Sequence, residues 1–178
     1  MHAQDLNLPE QLLLLALEDQ RGTLSWRAAT FFEYALAGAI LTELHLGGAI
    51  AVGAEGKVAA VPGAAAPASP VLAEALRQVA AEPDLAVSAW VAALSFMPSL
   101  VHRVAEELVA KNVLEHHTGK VLFLFHRTTY PTCDLTPEKE LVAQLARVIG
   151  GEAPADPRLE ALLGLAWAAD VLVPHVKP

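Results

Sequence analysis

With 178 residues, 54% of them hydrophobic and only 18% charged, the chain is long enough for one domain with a sizeable core and too apolar to be disordered. Its net charge is −8, from 12 basic and 20 acidic residues, and it shows no basic stripe for non-specific nucleic-acid binding; any contact with an anionic membrane would have to be local. The single Cys133 excludes an internal disulfide and fits a reducing compartment, no cleavable leader opens the chain, and composition points to a soluble cytoplasmic protein.

Asn7 or Leu8, followed by Pro9 and Glu10, marks a helix start: proline fits the first turn, and a carboxylate favours the positive helix end. The helix is expected over about Leu8–Asp19. The apolar run from Leu12 to Leu17 cannot occupy one narrow stripe, so this helix should be buried on most sides. Arg21-Gly22 stops it, Thr23 to Arg27 forms a loop, and a second helix follows from about Ala28 to Leu46. Phe31, Ala35, Gly38, Leu41 and Leu44/His45 recur there at helical spacing, and Gly47-Gly48 ends it.

Ala49–Val52 and Lys57–Val61 read as a short hairpin turning at Gly53 to Gly56, and Pro62 to Pro70 as a loop. Ser69-Pro70 starts a helix to about Ala81, Pro83-Asp84 starts the next, and Met97–Lys111 supplies another. Leu85 to His102 holds no Asp, Glu, Lys or Arg over 18 positions, the lower edge of a membrane span. Pro98 interrupts it, so two buried helices meeting near Ser95–Pro98 are expected rather than one spanning helix.

Glu43–Val58 and Glu107–Val121 echo each other: each is a helix passing through a Gly or Asn cap into a hairpin with a Gly-Lys turn, at Gly56-Lys57 and Gly119-Lys120. The second hairpin ends in Val121, Leu122, Phe123, Leu124 and Phe125, with no polar alternation. Either protein covers both faces or one face meets something apolar. Thr136-Pro137-Glu138 begins a capped helix to Ile149, and Pro157–Val173 makes the last one.

No glycine-rich phosphate loop, Gly-x-Ser-x-Gly elbow or His-Glu-x-x-His motif is present. Cys133 and His126 lack an orienting third group for nucleophilic catalysis. His116, His117, His126 and Cys133 match no metal-ligand spacing and read as surface groups. The adjacent pairs Glu18-Asp19 and Glu106-Glu107 point in different directions and read as solvated. No catalytic residue, metal or cofactor is assigned, and the chain reads as a non-enzyme. Leu100–Lys111 followed by His116, His117 and Lys120 has the outline of a winged helix, but two acids against two bases on that helix argue against DNA.

Six stretches in register resemble the Golgi phosphoprotein 3 family, in its short bacterial form: Leu8-Pro9-Glu10 with its leucine run and Glu18-Asp19…Gly22; Leu36–Ile50; Pro70–Leu76; Arg103–Leu114; Arg127–Pro131; and Asp156–Arg158 with Ala169–Leu172. The resemblance implies a single, mainly α domain over 1–178, a helix bundle with two short β-hairpins, lacking the family's further C-terminal helices. It implies a non-enzymatic, peripheral membrane adaptor in the cytoplasm (at the Golgi only in a eukaryote) that recognises phosphatidylinositol 4-phosphate. Its partners would be an anionic or phosphoinositide membrane surface, a client or scaffold protein, and further copies of itself, with no nucleic acid. The family's second hairpin serves membrane contact and self-association; here it is about Val113–Phe125, with Val121, Leu122, Phe123, Leu124 and Phe125 as the apolar arm.

The headgroup pocket transfers only in part. Its tryptophan corresponds to Trp26 if a one-residue gap is allowed. Its arginines fall on Ala37, Pro98 and Val101, which cannot make forked, charge-assisted hydrogen bonds to phosphate. Trp26, Arg27, Arg103 and Arg127 are the candidate substitutes; the alternatives are surface pairing of each arginine with a carboxylate, and Trp26 as a core anchor. The expectation is an adaptor with an altered headgroup site, or else a protein-binding or self-assembling scaffold without lipid binding.

Overall fold

The computed structural model describes residues 1–18, 20–26, 30–121 and 125–172, and for residues 120, 121, 125 and 126 the backbone alone. A 3-10 turn at Ala3–Asp5 leads into α1 (Leu8–Ala16), then the short strands β1 (Leu17–Glu18) and β2 (Thr23–Leu24). After α2 (Phe32–Leu46) come β3 (Ile50–Val52), β4 (Lys57–Ala60), α3 (Pro70–Ala81), β5 (Leu85–Ala86), α4 (Val87–Ser95) and α5 (Leu100–Ala110). The hairpin β6 (His117–Val121) and β7 (Phe125–Thr129) precedes α6 (Thr136–Ile149) and α7 (Pro157–Ala168). The class is mainly α with small antiparallel sheets, as expected.

Every residue of α1 is buried, which its unpatterned leucine run requires. α2, α5, α6 and α7 surround it, and α3 and α4 pack on α2. α1 is shorter than expected. Leu17 turns to extended geometry, and Leu17 and Glu18 pair with Leu24 and Thr23. The chain reverses at Gly22, whose φ of +61° suits glycine.

α2 begins at Phe32, so its buried face runs through Phe32, Leu36, Ile40 and Leu44 rather than through Phe31. Phe31 is the N-cap and is 70% exposed. Leu85 and Ala86 do not begin a helix; they join β4 as a third strand opposite Val58 and Lys57. Gly56 turns the first hairpin with φ +69°, but Gly119 and Lys120 lie inside β6, opposite Arg127 and His126. The echoed Gly-Lys turn is therefore absent, and the link between β6 and β7 falls at 122–124, outside the described residues. Thr136 is the first residue of α6, not its cap; Asp134 accepts its N–H at 2.9 Å.

No single helix among the described residues is long and apolar enough to cross a membrane, and α4 and α5 meet at a 79° bend. α5 buries Leu100, Val104, Ala105 and Leu108. α4 buries Trp90, Leu94 and Ser95 and leaves Val87 exposed, so it is less covered than expected.

Helix starts inside the bundle need acceptors, because their first N–H groups have no partner in the helix. Asn7 Oδ1 accepts from Glu10 N at 3.0 Å and Glu10 Oε2 accepts from Asn7 N at 2.8 Å. Glu43 of α2 accepts the Leu8 N–H at 2.8 Å and both Arg158 nitrogens of α7 at 2.7 Å. Glu107 of α5 takes the Val71 N–H of α3 at 3.0 Å, and Glu140 of α6 takes the Ala3 N–H at 2.8 Å. Burial pushes the Glu10 carboxyl up, against the opposing pull of Lys111, whose ammonium lies 2.7 Å away.

Glu43→Ala leaves the Leu8 N–H and Arg158 unpaired, and urea unfolding should show a loss of about 3 kcal/mol. Glu43→Gln, which keeps an acceptor, should lose about half of that; equal midpoints for all three proteins would contradict this role. Hydrogen bonds from Thr136, and then the N-terminal ammonium, hold Asp134 down at about 2. Its stabilisation is therefore complete above the ordinary aspartate value and shrinks as pH falls towards 2. Melting curves of wild type and Asp134→Asn should differ at neutral pH and converge in acid; a constant difference would show that the charge is irrelevant.

Candidate functional site

A surface cavity of about 660 Å³ opens between the β1–β2 turn, the first turn of α2, the α4–α5 bend and the end of β7. Close backbone contact builds its floor. The Gly22 carbonyl accepts the Tyr130 N–H at 2.7 Å, and a Cβ on Gly22 would lie 2.2 Å from the Pro131 nitrogen. Tyr130 is buried and donates its hydroxyl to Glu106 at 2.9 Å. The His102 and His116 rings pack against its ring at a tilt, with centroids 5.7 and 5.4 Å away. Burial, then the Glu106 carboxylate, pushes the phenol up to about 12, so it stays neutral.

The rim is aromatic. Tyr34 and Phe96 line the cavity and are 43% and 78% exposed. The Phe31 ring lies 6.4 Å from Tyr34, edge-on. Trp26, two residues beyond the lining residue Leu24, is 77% exposed, which rules out a core anchor. Phe96 stands out because α4 ends there, and Ser99 then adopts a left-handed φ of 54° to start α5 in a new direction. α5 carries no side-chain cap at its start.

Pro98 and Val101, two of the positions where the resemblance places arginines, line this cavity, while Ala37 is fully buried in the core. Among the described residues, the lining contains no lysine or arginine, and Glu33 is its one carboxylate. Arg103 faces a different groove and is bound to Glu74 at 2.6 Å, the surface pairing that was the alternative for it. Arg127 is exposed beside the lining residue Thr128, and strand alternation turns it to the opposite face of β7. Arg27 lies outside the described residues. So do Leu122, Phe123 and Leu124; Val121 and Phe125 pair through their backbones as the last described rung of the hairpin.

Beyond Tyr130 and His102 lies a larger groove, of about 980 Å³. Its charges face one another, as Glu10–Lys111 and Glu43–Arg158, or hold helix starts, as Glu107 does. Glu106 is exposed, as expected, but both carboxylates also have structural partners: Glu106 accepts from Tyr130 and lies 2.8 Å from His116, and Glu107 accepts from the first turn of α3. Glu33, Tyr34 and Phe96 carried no sequence signal as site residues. Each becomes one only when α2 and the α4–α5 bend meet. Cys133 donates its thiol to the Asn112 carbonyl at 3.3 Å, His117 lies 2.9 Å from Glu115, and no metal-ligating cluster of three occurs among the described residues.

The chain is thus a mainly helical domain with an aromatic-rimmed cavity beside a two-stranded hairpin. The chain belongs to the Golgi phosphoprotein 3 (GPP34) family, whose sequence profile matches residues 8–177. No curated protein matches it.

Gly22→Ala forces a Cβ into the Tyr130–Pro131 backbone at a positive φ, and should cost at least about 2 kcal/mol in chemical denaturation. An unchanged midpoint would show that this backbone contact does not hold the floor.

Proposed function

We propose that the protein is a non-enzymatic peripheral membrane adaptor whose headgroup site differs from the phosphoinositide type. The observation that carries this reading is the group of exposed aromatic side chains, Phe31, Tyr34 and Phe96, at the mouth of one cavity, with Trp26 on the connection leading to them. Aromatic rings left in water favour an interface where an apolar body meets lipid and a polar edge stays wet. Family membership supports the same reading. Among the described residues the lining holds no lysine or arginine, and with the net charge of −8 this argues that apolar insertion, rather than attraction to multiply charged phosphates, supplies the affinity. The apolar hairpin arm is a second contact in this reading, contributed by Phe123 and Phe125.

Liposome flotation tests it. Wild type should float with vesicles and stay bound as salt is raised, because apolar contact is not screened. Replacing Phe31 and Phe96 together by Ser should cut the bound fraction about tenfold, and Phe123 with Phe125 by a comparable amount. Absence of flotation with neutral, anionic and phosphoinositide vesicles alike would remove the membrane role.

A self-assembling scaffold is the second reading, favoured by the apolar groove of about 860 Å³ between α6 and α7, where Trp167 is 75% exposed beside Ile149. Light scattering at micromolar concentration should then report a mass above the monomer that falls with Trp167→Ser. A monomeric wild type would dismiss it.

A further inference from the structure

We propose that the cavity between the β1–β2 turn, α2 and the α4–α5 bend seats the ammonium group of a zwitterionic phospholipid headgroup. The inference rests on the membrane reading for the source of the ligand, but its chemistry comes from the cavity. Two exposed aromatic rings, Tyr34 and Phe96, line it together with the buried Tyr130, the His102 imidazole and, among the described residues, one carboxylate, Glu33. Aromatic faces attract a cation through their quadrupole, and a carboxylate accepts ammonium N–H groups in a charge-assisted hydrogen bond. Glu33 is available for that role: among the described residues, nothing forms an ion pair or hydrogen bond with its carboxylate.

The same lining opposes a phosphate monoester. The arginines nearest to it in sequence are engaged elsewhere: Arg21, beside Gly22, is held by Glu18 at 3.1 Å, and Arg103, beside His102, by Glu74 at 2.6 Å. Arg127 is turned away by strand alternation, and Arg27 lies outside the described residues. Among the described residues, a phosphate monoester entering here would meet Glu33 with no lysine or arginine in the lining; His102 is the one basic side chain there, and its Nδ1 lies 3.3 Å from the Tyr130 hydroxyl.

Rigidity adds to the fit. Tyr130 is fixed through its hydroxyl on Glu106 and by the flanking His102 and His116 rings, so its ring is already placed before a ligand arrives. Tyr34 and Phe96 remain exposed at the mouth, where the rest of a lipid would continue into the apolar rim with Phe31. A carboxylate and aromatic side chains lining one cavity therefore match the ammonium tip of such a headgroup, whose phosphodiester is then left towards solvent at the mouth.

The test uses the full chain and short-chain lipids kept below micelle formation, titrated by calorimetry. Dihexanoyl phosphatidylethanolamine and phosphatidylcholine should bind at least about tenfold more tightly than dihexanoyl phosphatidylglycerol, which has the same chains and no ammonium. Glu33→Gln and Phe96→Ala, each checked for an unchanged circular dichroism melt, should each weaken the ethanolamine lipid about tenfold. Equal affinity for the glycerol lipid, no binding of any short-chain lipid, or no effect of Glu33→Gln would overturn the assignment. Free ethanolamine binding as tightly as its lipid would overturn the lipid source. Vesicle flotation separates the two readings: a protein that floats equally with ethanolamine-containing and ethanolamine-free vesicles and shows no short-chain selectivity keeps its membrane role and loses the ammonium site. One that binds the ethanolamine lipid in solution but no vesicle does the reverse.

Discussion

The start of α1 is the point on which the bundle is organised. A helix buried on every side cannot give its first N–H groups to water, so side-chain acceptors must be supplied from within. Glu10 answers from the same helix and Glu43 from α2. Each brings a cation from another element, Lys111 at the end of α5 and Arg158 in the first turn of α7. The requirement of one buried terminus thereby sets the relative placement of four helices. The same device recurs where Glu107 meets α3 and Glu140 meets the N-terminal turn, joining the periphery to the centre.

That placement has consequences at the surface. Because α5 is held at its C-terminal end by Lys111 and along its buried face by Leu100, Val104 and Leu108, its N-terminal end is fixed where the chain must bend sharply out of α4. The bend leaves Phe96 in solvent and sets Pro98 and Val101 against the β1–β2 turn, which the Gly22–Tyr130 contact clamps from the other side. The cavity is thus a by-product of how α5 is anchored, with walls that rigid elements already hold in place.

Electrostatics divides the molecule in two. Around the larger groove, acids and bases are matched within the protein and serve folding. Around the smaller cavity, charge is sparse, aromatic surface is exposed and the one lining carboxylate has no partner among the described residues. Charges engaged in ion pairs contribute little to recognising a further ion, whereas an unengaged group in a partly desolvated cleft is available to a ligand. This contrast is why the smaller cavity is proposed as the recognition surface, although the larger groove holds more charged residues.

Local sequence determined much of the helical frame. Asn7-Leu8-Pro9-Glu10, Ser69-Pro70, Asp156-Pro157 and Gly47-Gly48 are punctuation whose physics acts within a few residues, and each stands at or beside a helix end. The buried character of α1 was legible for the same reason, since an apolar run without a period has one solution. What needed the tertiary structure were pairings between distant segments. Leu17–Glu18 is a strand because Thr23–Leu24 returns beside it, and Leu85–Ala86 is one because β4 is there to receive it. Phe31 carries the helical spacing of a core residue and stands in solvent, because the chain enters α2 one position later. In sequence, the resemblance set the family's headgroup arginines opposite Ala37, Pro98 and Val101, and an alanine, a proline or a valine cannot fork onto phosphate. Only the tertiary structure brought Glu33, Tyr34, Phe96 and Tyr130 to one cavity, because they lie on three separate segments that meet through the packing of α5.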